Sequence, residues 1–241
     1  MTHLTNLVEF PALGLSFPLN RVAFSIGSIN IYWYGVCIAV GMCLALVFAF
    51  RHGVEFGVDA DAMVDVILIG VVMGILCARL YYVAMAPYNY DSLWEVVAIR
   101  DGGLAIYGGV LGAALGVALF CKIKKCSLPA LLDLVSLGFL IGQSMGRWGN
   151  FFNREAFGAA TEGFTRMGLY NTVTGVTEYY HPTFLYESGW NLIGFVILHF
   201  LSKKKKYDGE IALGYCAWYG LGRTMIEGLR MDSLYWGPFR V

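Results

Sequence analysis

Six stretches of the chain are apolar over most of their length and are bounded by charged residues, glycine or proline: Asn30–Phe50, Ala62–Ala86, Leu104–Cys121, Leu128–Met145, Thr183–Leu201 and Ile211–Ile226. Roughly 20 helical residues cross a hydrocarbon core of about 30 Å, and backbone exposed to lipid must satisfy its own hydrogen bonds. These runs therefore predict transmembrane helices. The expected fold is an all-α polytopic membrane protein with about six spans, residues 1–241 forming a single integral domain. The longest hydrophilic stretch, Ala159–Tyr180, is rich in Gly, Thr and Tyr. It predicts a small extracytoplasmic cap of turns and short strands within residues 159–182. Glycines 70, 74, 108, 109, 112, 116, 138 and 142 lie in or beside the apolar runs, where small residues let membrane helices approach closely.

Charge gives the helices a direction. All seven lysines fall in two short loops, Cys121–Lys125 and Lys203–Lys206, with an even number of predicted spans between them. The positive-inside rule makes that side cytoplasmic, and Arg51-His52, two spans earlier, agrees. The run Lys203–Lys206 reads as a topology signal against anionic lipid heads. Asp101–Tyr107, Gly146–Pro182 and the chain from Arg223 onward are then expected at or near the outer face.

Composition supports the membrane reading: 58% of the 241 residues are hydrophobic and 14% charged, against about 25% charged in soluble domains. The formal net charge is zero, which leaves no global field to attract nucleic acid. Cys37, Cys43, Cys77, Cys121, Cys126 and Cys216 lack C-x-x-C pairing and read as small buried hydrophobes. No removable signal peptide is expected, because a charged n-region, a short apolar core and a cleavage site are not found in sequence at the N-terminus.

Candidate chemistry begins at the end of the fourth span. Gly142-Gln143-Ser144-Met145-Gly146 matches the G-x-S-x-G pattern of a serine hydrolase elbow. That elbow needs a strand-turn-helix and a histidine partner, whereas Ser144 ends an apolar helix and only His181 falls on the expected side. There is no H-E-x-x-H pair and no H-x4-D pair, so neither metal nor cofactor is expected. What remains is Arg79, Arg147, Arg154, Arg223 and Arg230 with Asp133, Glu155, Glu187 and Glu227. Ionisable groups at bilayer depth are costly unless paired or facing water, and a guanidinium grips phosphate through two donors. Taken singly, Arg79 and Glu187 could equally be struts. Taken together, Arg147, Asn150, Glu155, Arg223 and Glu227 predict a site for an anionic phospholipid headgroup.

The run Gly146-Arg147-Trp148-Gly149-Asn150-Phe151-Phe152-Asn153-Arg154-Glu155-Ala156-Phe157-Gly158 resembles the signature G-R-x-G-N-F-x-N-x-E-x-x-G of bacterial prolipoprotein diacylglyceryl transferases at every fixed position. Similar stretches are Tyr32–Gly35, Ala78–Leu80, Asp101–Gly103 with Gly108-Gly109, His181–Thr183 with Leu185–Glu187, and Tyr219–Arg223 with Glu227, Arg230 and Asp232. The resemblance implies transfer of the diacylglyceryl group of phosphatidylglycerol to the lipobox cysteine thiol of a prolipoprotein signal peptide, releasing glycerol phosphate. It implies catalytic roles for Arg147, Arg223, Tyr107 and Glu155, and substrate binding by Arg147, Asn150, Asn153, Tyr34, Glu227 and Arg230. It places the protein in the bacterial cytoplasmic (inner) membrane among membrane lipids, with the site toward the outer face. Two departures stand out. The family often has a histidine where this chain has Tyr107, and tyrosine, with a pKa near 10 against about 6.5, is the weaker candidate for taking the thiol proton. The family also usually has a seventh span, so Val241 implies either a truncated sequence or a six-span member. An anionic-lipid binding or transport protein is the alternative reading.

Overall fold

In the computed structural model, residues 4–86, 92–98, 102–171, 174–230, 235–236 and 239–240 are described. The helices are α1 (Trp33–His52), α2 (Ala60–Met85), α3 (Leu93–Val97), α4 (Ile106–Lys124), α5 (Leu128–Asn153), α6 (Thr183–Ser202) and α7 (Glu210–Glu227). The strands are β1 (Leu4–Phe10), β2 (Leu15–Pro18), β3 (Val22–Ile26), β4 (Ile29–Tyr32), β5 (Met167–Asn171), β6 (Val176–Tyr180), β7 (Tyr235–Trp236) and β8 (Phe239–Arg240). The six predicted spans are all helices. Five of them are long and apolar enough to cross a membrane, with α1 counted on through the following turn to Phe56. α7 carries Glu210, Arg223 and Glu227 in its 18 residues, and these charges set it apart from the other five.

Local signals account for several helix ends. The Asp59 carboxylate accepts from the Ala62 amide at 2.7 Å and caps α2. α4 stops at Lys125 in the left-handed conformation, φ 57°. The chain separates into two compact units, residues 49–134 and residues 1–48 with 135–241.

In the unit of residues 49–134, α2 and α4 pack along a glycine face. A Cβ on Gly108 or Gly112 would lie 2.4 Å from the Cys77 carbonyl oxygen or 2.3 Å from the Cys77 Cβ, and one on Gly116 would lie 2.7 Å from Met73. The two backbones meet through van der Waals contact, the force that remains between helices when lipid is as apolar as they are.

In the other unit α5 is the central helix: 44% of its span is buried, against 17% for α1. It meets α1 where Gly41 faces Gly142 and Met145, α6 through Ser144 and Ser188, and α7 through Gln143 and Tyr215. α6 and α7 are joined by a reciprocal lock. Trp190 Nε1 donates to the Trp218 carbonyl and Trp218 Nε1 to the Trp190 carbonyl, each at 3.0 Å. The two indoles stack at 4.4 Å. Each ring lies over the glycine four residues along from the opposite tryptophan, Trp218 over Gly194 and Trp190 over Gly222.

Residues 159–182 include the expected strands, β5 and β6, but the sheet is larger than the sequence suggested. Its order is β2-β1-β5-β6 and every pairing is antiparallel. The N-terminal segment thus supplies half of it. The sheet is seated on helix ends through a core of Val8, Leu19, Phe151, Met167, Leu169 and Phe184. Phe151, from the sequence signature, stacks on Phe184 of α6 at 4.6 Å. Between β1 and β5 in the chain lie four of the long apolar helices, α1, α2, α4 and α5. A second ribbon, β3-β4, replaces the first residues of the predicted first span, and α1 begins at Trp33 rather than Asn30. Cross-strand hydrogen bonding of Val22–Tyr32 outweighs helix extension there, and Gly27 in the left-handed region makes the turn.

Candidate functional site

α5 and α6 carry the weakest mean hydropathy of the five spans, 1.5 and 1.3, because they carry polar residues inward. Arg147 lies in the last two turns of α5. The predicted helix end at Met145 falls short of the observed end at Asn153, so Arg147, Asn150 and Asn153 project from one continuous helix at spacings of three. Opposite Arg147 stands Glu187 of α6, whose side chain is 7% exposed, and Nη2 of Arg147 forms an ion pair with its Oε2. The other carboxylate oxygen faces Arg230 Nη1 at 3.5 Å and Arg223 Nη1 at 4.0 Å. Arg223 also pairs through Nη2 with Glu227 Oε2 at 2.5 Å, one turn along α7. Arg230 follows α7 and is held by a bridge to Gly158, the last residue of the sequence signature. Three arginines from α5, α7 and the segment after it therefore converge on one buried carboxylate.

A second cluster lies beyond Arg147. The Asn150 and Asn153 amides donate to Glu155 Oε1 at 3.0 and 3.2 Å, and the Glu155 amide donates to the Asn150 carbonyl at 3.1 Å. Arg154 and Ala156, on either side of Glu155, have φ of 53° and 54°. Such left-handed non-glycine residues cost about 1–2 kcal/mol each, and the turn is held against that cost. Buried Arg154 donates Nη1 to the Leu19 carbonyl at 2.8 Å, and the Thr183 hydroxyl donates to the Ala156 carbonyl. Burial first, then the charge of Arg21, pulls the Arg154 pKa below its ordinary value. Arg154, a candidate from sequence for the functional arginine set, is thus a fastener between the turn and the N-terminal segment.

Tyr34 packs its ring on the signature helix, where a Cβ on Gly149 would come within 2.7 Å of it. It also lines an open cleft of about 550 Å³ with Arg21, Asn30, Ile31, Tyr32, Gly35 and Asn153. Arg21 donates to the Asn153 carbonyl at 3.0 Å across this cleft. Arg21 carried no signal of its own in the sequence; its position at the mouth of the β3-β4 ribbon is what brings it here.

Arg79 and Tyr107 belong to the unit of residues 49–134. Arg79 donates to the carbonyls of Val96 (2.7 Å), Gly102 (3.0 Å), Gly103 (2.9 Å) and Glu95 (2.5 Å), so it is the strut that fixes the segment before α4. Gly103, with φ 78°, leaves room for it: a Cβ there would sit 2.4 Å from Arg79 Nη1. Tyr107 is in the first turn of α4 and 70% exposed. Asp101 and Asp232 lie outside the described residues. Ser144 is in mid-helix, buried, and hydrogen bonded at 3.0 Å to both the hydroxyl and the carbonyl of Ser188. His181 instead faces the Tyr186 hydroxyl at 3.3 Å, and the elbow that a hydrolase needs is not formed around Ser144.

The arrangement of signature, buried glutamate and three arginines coincides with a sequence match to known proteins. The sequence model of prolipoprotein diacylglyceryl transferase matches residues 21–241. The chain belongs to this family. It is 44% identical over 231 residues to the phosphatidylglycerol–prolipoprotein diacylglyceryl transferase of Listeria monocytogenes serotype 4a (strain HCC23), covering 93% of this chain and 83% of the relative. It is 42% identical over 236 residues to the enzyme of that name from Bacillus cereus (strain G9842), covering 95% and 87%. Membership in this family makes the chain a transferase of the membrane, in keeping with its five long apolar helices.

Proposed function

We propose that this chain is a phosphatidylglycerol–prolipoprotein diacylglyceryl transferase. It moves the diacylglyceryl group of phosphatidylglycerol onto the thiol of a lipobox cysteine and releases glycerol phosphate. The thiol sulfur forms a bond to the terminal glyceryl carbon, the bond from that carbon to the phosphate oxygen breaks, and its electron pair leaves with the phosphate. The thiol proton goes to a base. The convergence of Arg147, Arg223 and Arg230 on Glu187 is the observation that carries this reading. Fixed guanidinium groups meet the phosphate, and as the bond to carbon breaks they gain more from its growing charge than from the ground state.

In this reading Arg147 and Arg223 bind and stabilise the phosphate. Glu187 and Glu227 hold them by ion pairs, and Arg230 shares the Glu187 carboxylate. Asn150, Asn153 and Glu155 form the polar wall beside them, and Tyr34 shapes the cleft between that wall and the ribbon. Tyr107 is assigned the thiol proton only by its place in the sequence, where the family often has a histidine. The two acyl chains need only apolar surface. Family membership tells against a carrier that merely relocates lipid.

The site faces outward from the bacterial cytoplasmic membrane, where secreted precursors arrive, and the loops Cys121–Lys125 and Lys203–Lys206 face the cytoplasm. An impermeant thiol reagent applied to intact cells should label a cysteine placed at Thr174 and spare one placed at Lys204; the reverse pattern overturns the orientation. The activity itself is tested by incubating purified protein with phosphatidylglycerol and a lipobox peptide. A thioether-linked diacylglyceryl mass on the peptide, with soluble glycerol phosphate, is the expected result. Unmodified peptide beside intact protein and lipid would refute it.

A further inference from the structure

We infer that Glu187 sets the charge of the site, so that it selects a singly charged phosphodiester and lets go of the doubly charged phosphomonoester that the reaction leaves. This rests on the function proposed above. A strut would need one arginine on one carboxylate. Here a single carboxylate is shared by three arginines from separate parts of the chain, which would repel one another at that distance without it. The exposure of these side chains gives the cluster a direction. Arg223 and Arg147 are 35% and 21% exposed, while Glu187 is 7% exposed. An arriving anion meets the guanidinium groups first and the carboxylate behind them.

Among the described residues of the ion-paired cluster itself, apart from Glu155 of the neighbouring wall and Arg21 of the cleft, Arg147, Arg223 and Arg230 bring three positive charges, and Glu187 and Glu227 bring two negative ones. The sum is +1. A phosphodiester carries one negative charge, so its complex is neutral. That is the least costly state where water is scarce, since any uncompensated buried charge is expensive. A phosphomonoester carries about −1.5 to −2 at pH 7. Once the bond to carbon is broken, the glycerol phosphate therefore brings an excess of negative charge beside two fixed carboxylates, and the same groups that accepted the substrate expel the product. An arginine has five N–H donors, so the ion pairs of the two more exposed ones, Arg147 and Arg223, with Glu187 and Glu227 leave donors for the lipid phosphate.

The test compares headgroups that differ by one charge. Transfer to a lipobox peptide is measured for the full chain in phosphatidylglycerol-containing nanodiscs, with glycerol phosphate or the diester glycerophosphoglycerol added as inhibitor. The wild-type protein is expected to bind the diester more tightly; tighter binding of glycerol phosphate overturns the proposal without recourse to any variant. In Glu187→Gln the site rises to +2. Its inhibition constant for glycerol phosphate should fall at least about tenfold, or about 1.4 kcal/mol, with a smaller change in KM for lipid and a lower kcat as release slows. Glu187→Asp keeps the charge and should remain within about threefold of wild type in inhibition, while Glu227→Gln should shift in the same direction as Glu187→Gln. Equal inhibition of wild type and both glutamine variants overturns the proposal. A wild-type protein that leaves the peptide unmodified instead refutes the underlying function, and the two failures are distinct.

Discussion

The tryptophan lock makes a sharp claim about two glycines on one helix. In α7, Gly220 has open space around it, whereas a Cβ on Gly222 would lie 2.2 Å from Trp190 Nε1 and 2.4 Å from its Cδ1. Ordinary contact begins near 3.4 Å, so the indole must move by more than 1 Å. Its hydrogen bond to the Trp218 carbonyl, 3.0 Å long, does not survive such a shift. Overpacking of this kind costs roughly 1–3 kcal/mol. The lost interhelical hydrogen bond adds about 0.6–1.7 kcal/mol, and the better helix propensity of alanine returns about 1 kcal/mol. Gly222→Ala should then destabilise the protein by about 2 kcal/mol, while Gly220→Ala should be neutral or slightly stabilising. Because Gly222 precedes Arg223, and Trp190 stands three residues after Glu187, the same change should also reduce transfer. The measurement is unfolding of both purified variants in mixed micelles by a graded denaturing detergent, read by tryptophan fluorescence, with transfer activity measured alongside. Equal stability of the two alanine variants would show that the indole yields freely, and the reasoning would fail.

Arg147→Lys should keep the fold yet lose transfer by at least about tenfold, since an ammonium cannot reproduce the planar two-donor grip; wild-type rates at matched expression would show that a point charge is enough. Ser144→Ala should keep most of its transfer activity, and a thousandfold loss in a folded protein would revive the hydrolase reading. Tyr107→Phe should lower turnover strongly and Tyr107→His should preserve it; equal rates for Tyr and Phe would reduce this residue to packing.

Which parts of this were legible in the chain follows from how far apart the partners are. Helices are local, so all six apolar runs were readable, and the errors lie at their ends. Asn30 looked like the start of a span because β4 is itself apolar, Ile29–Tyr32. Met145 looked like the end of one because polar residues follow, although they continue the same helix to Asn153. Arg147, Arg223, Arg230 and Glu227 could be nominated from their types and positions, but the carboxylate they share could not. Glu187 is 40 residues from Arg147, and in sequence it read equally well as a strut. Arg154 misled for the opposite reason, since a buried arginine in a signature looks functional until its acceptor, the carbonyl of Leu19, is seen. The N-terminal strands were silent because β1 finds β5 more than 150 residues away.

That last pairing puts a clock into the assembly of the protein. β1 is the second strand of a sheet whose third and fourth strands are made only after four long helices have been synthesised. At about 5–20 residues per second, the N-terminal hairpin of β1 and β2 waits on the order of ten seconds or more with one ladder open, and an unpaired edge is where strands bind the wrong partner. Tyr34, Arg21 and the Leu19 carbonyl that Arg154 seeks all lie just downstream of that waiting strand. The cluster of Glu187, Arg223 and Arg230 comes later still in the chain, so four long helices and the whole sheet are synthesised before the protein can act.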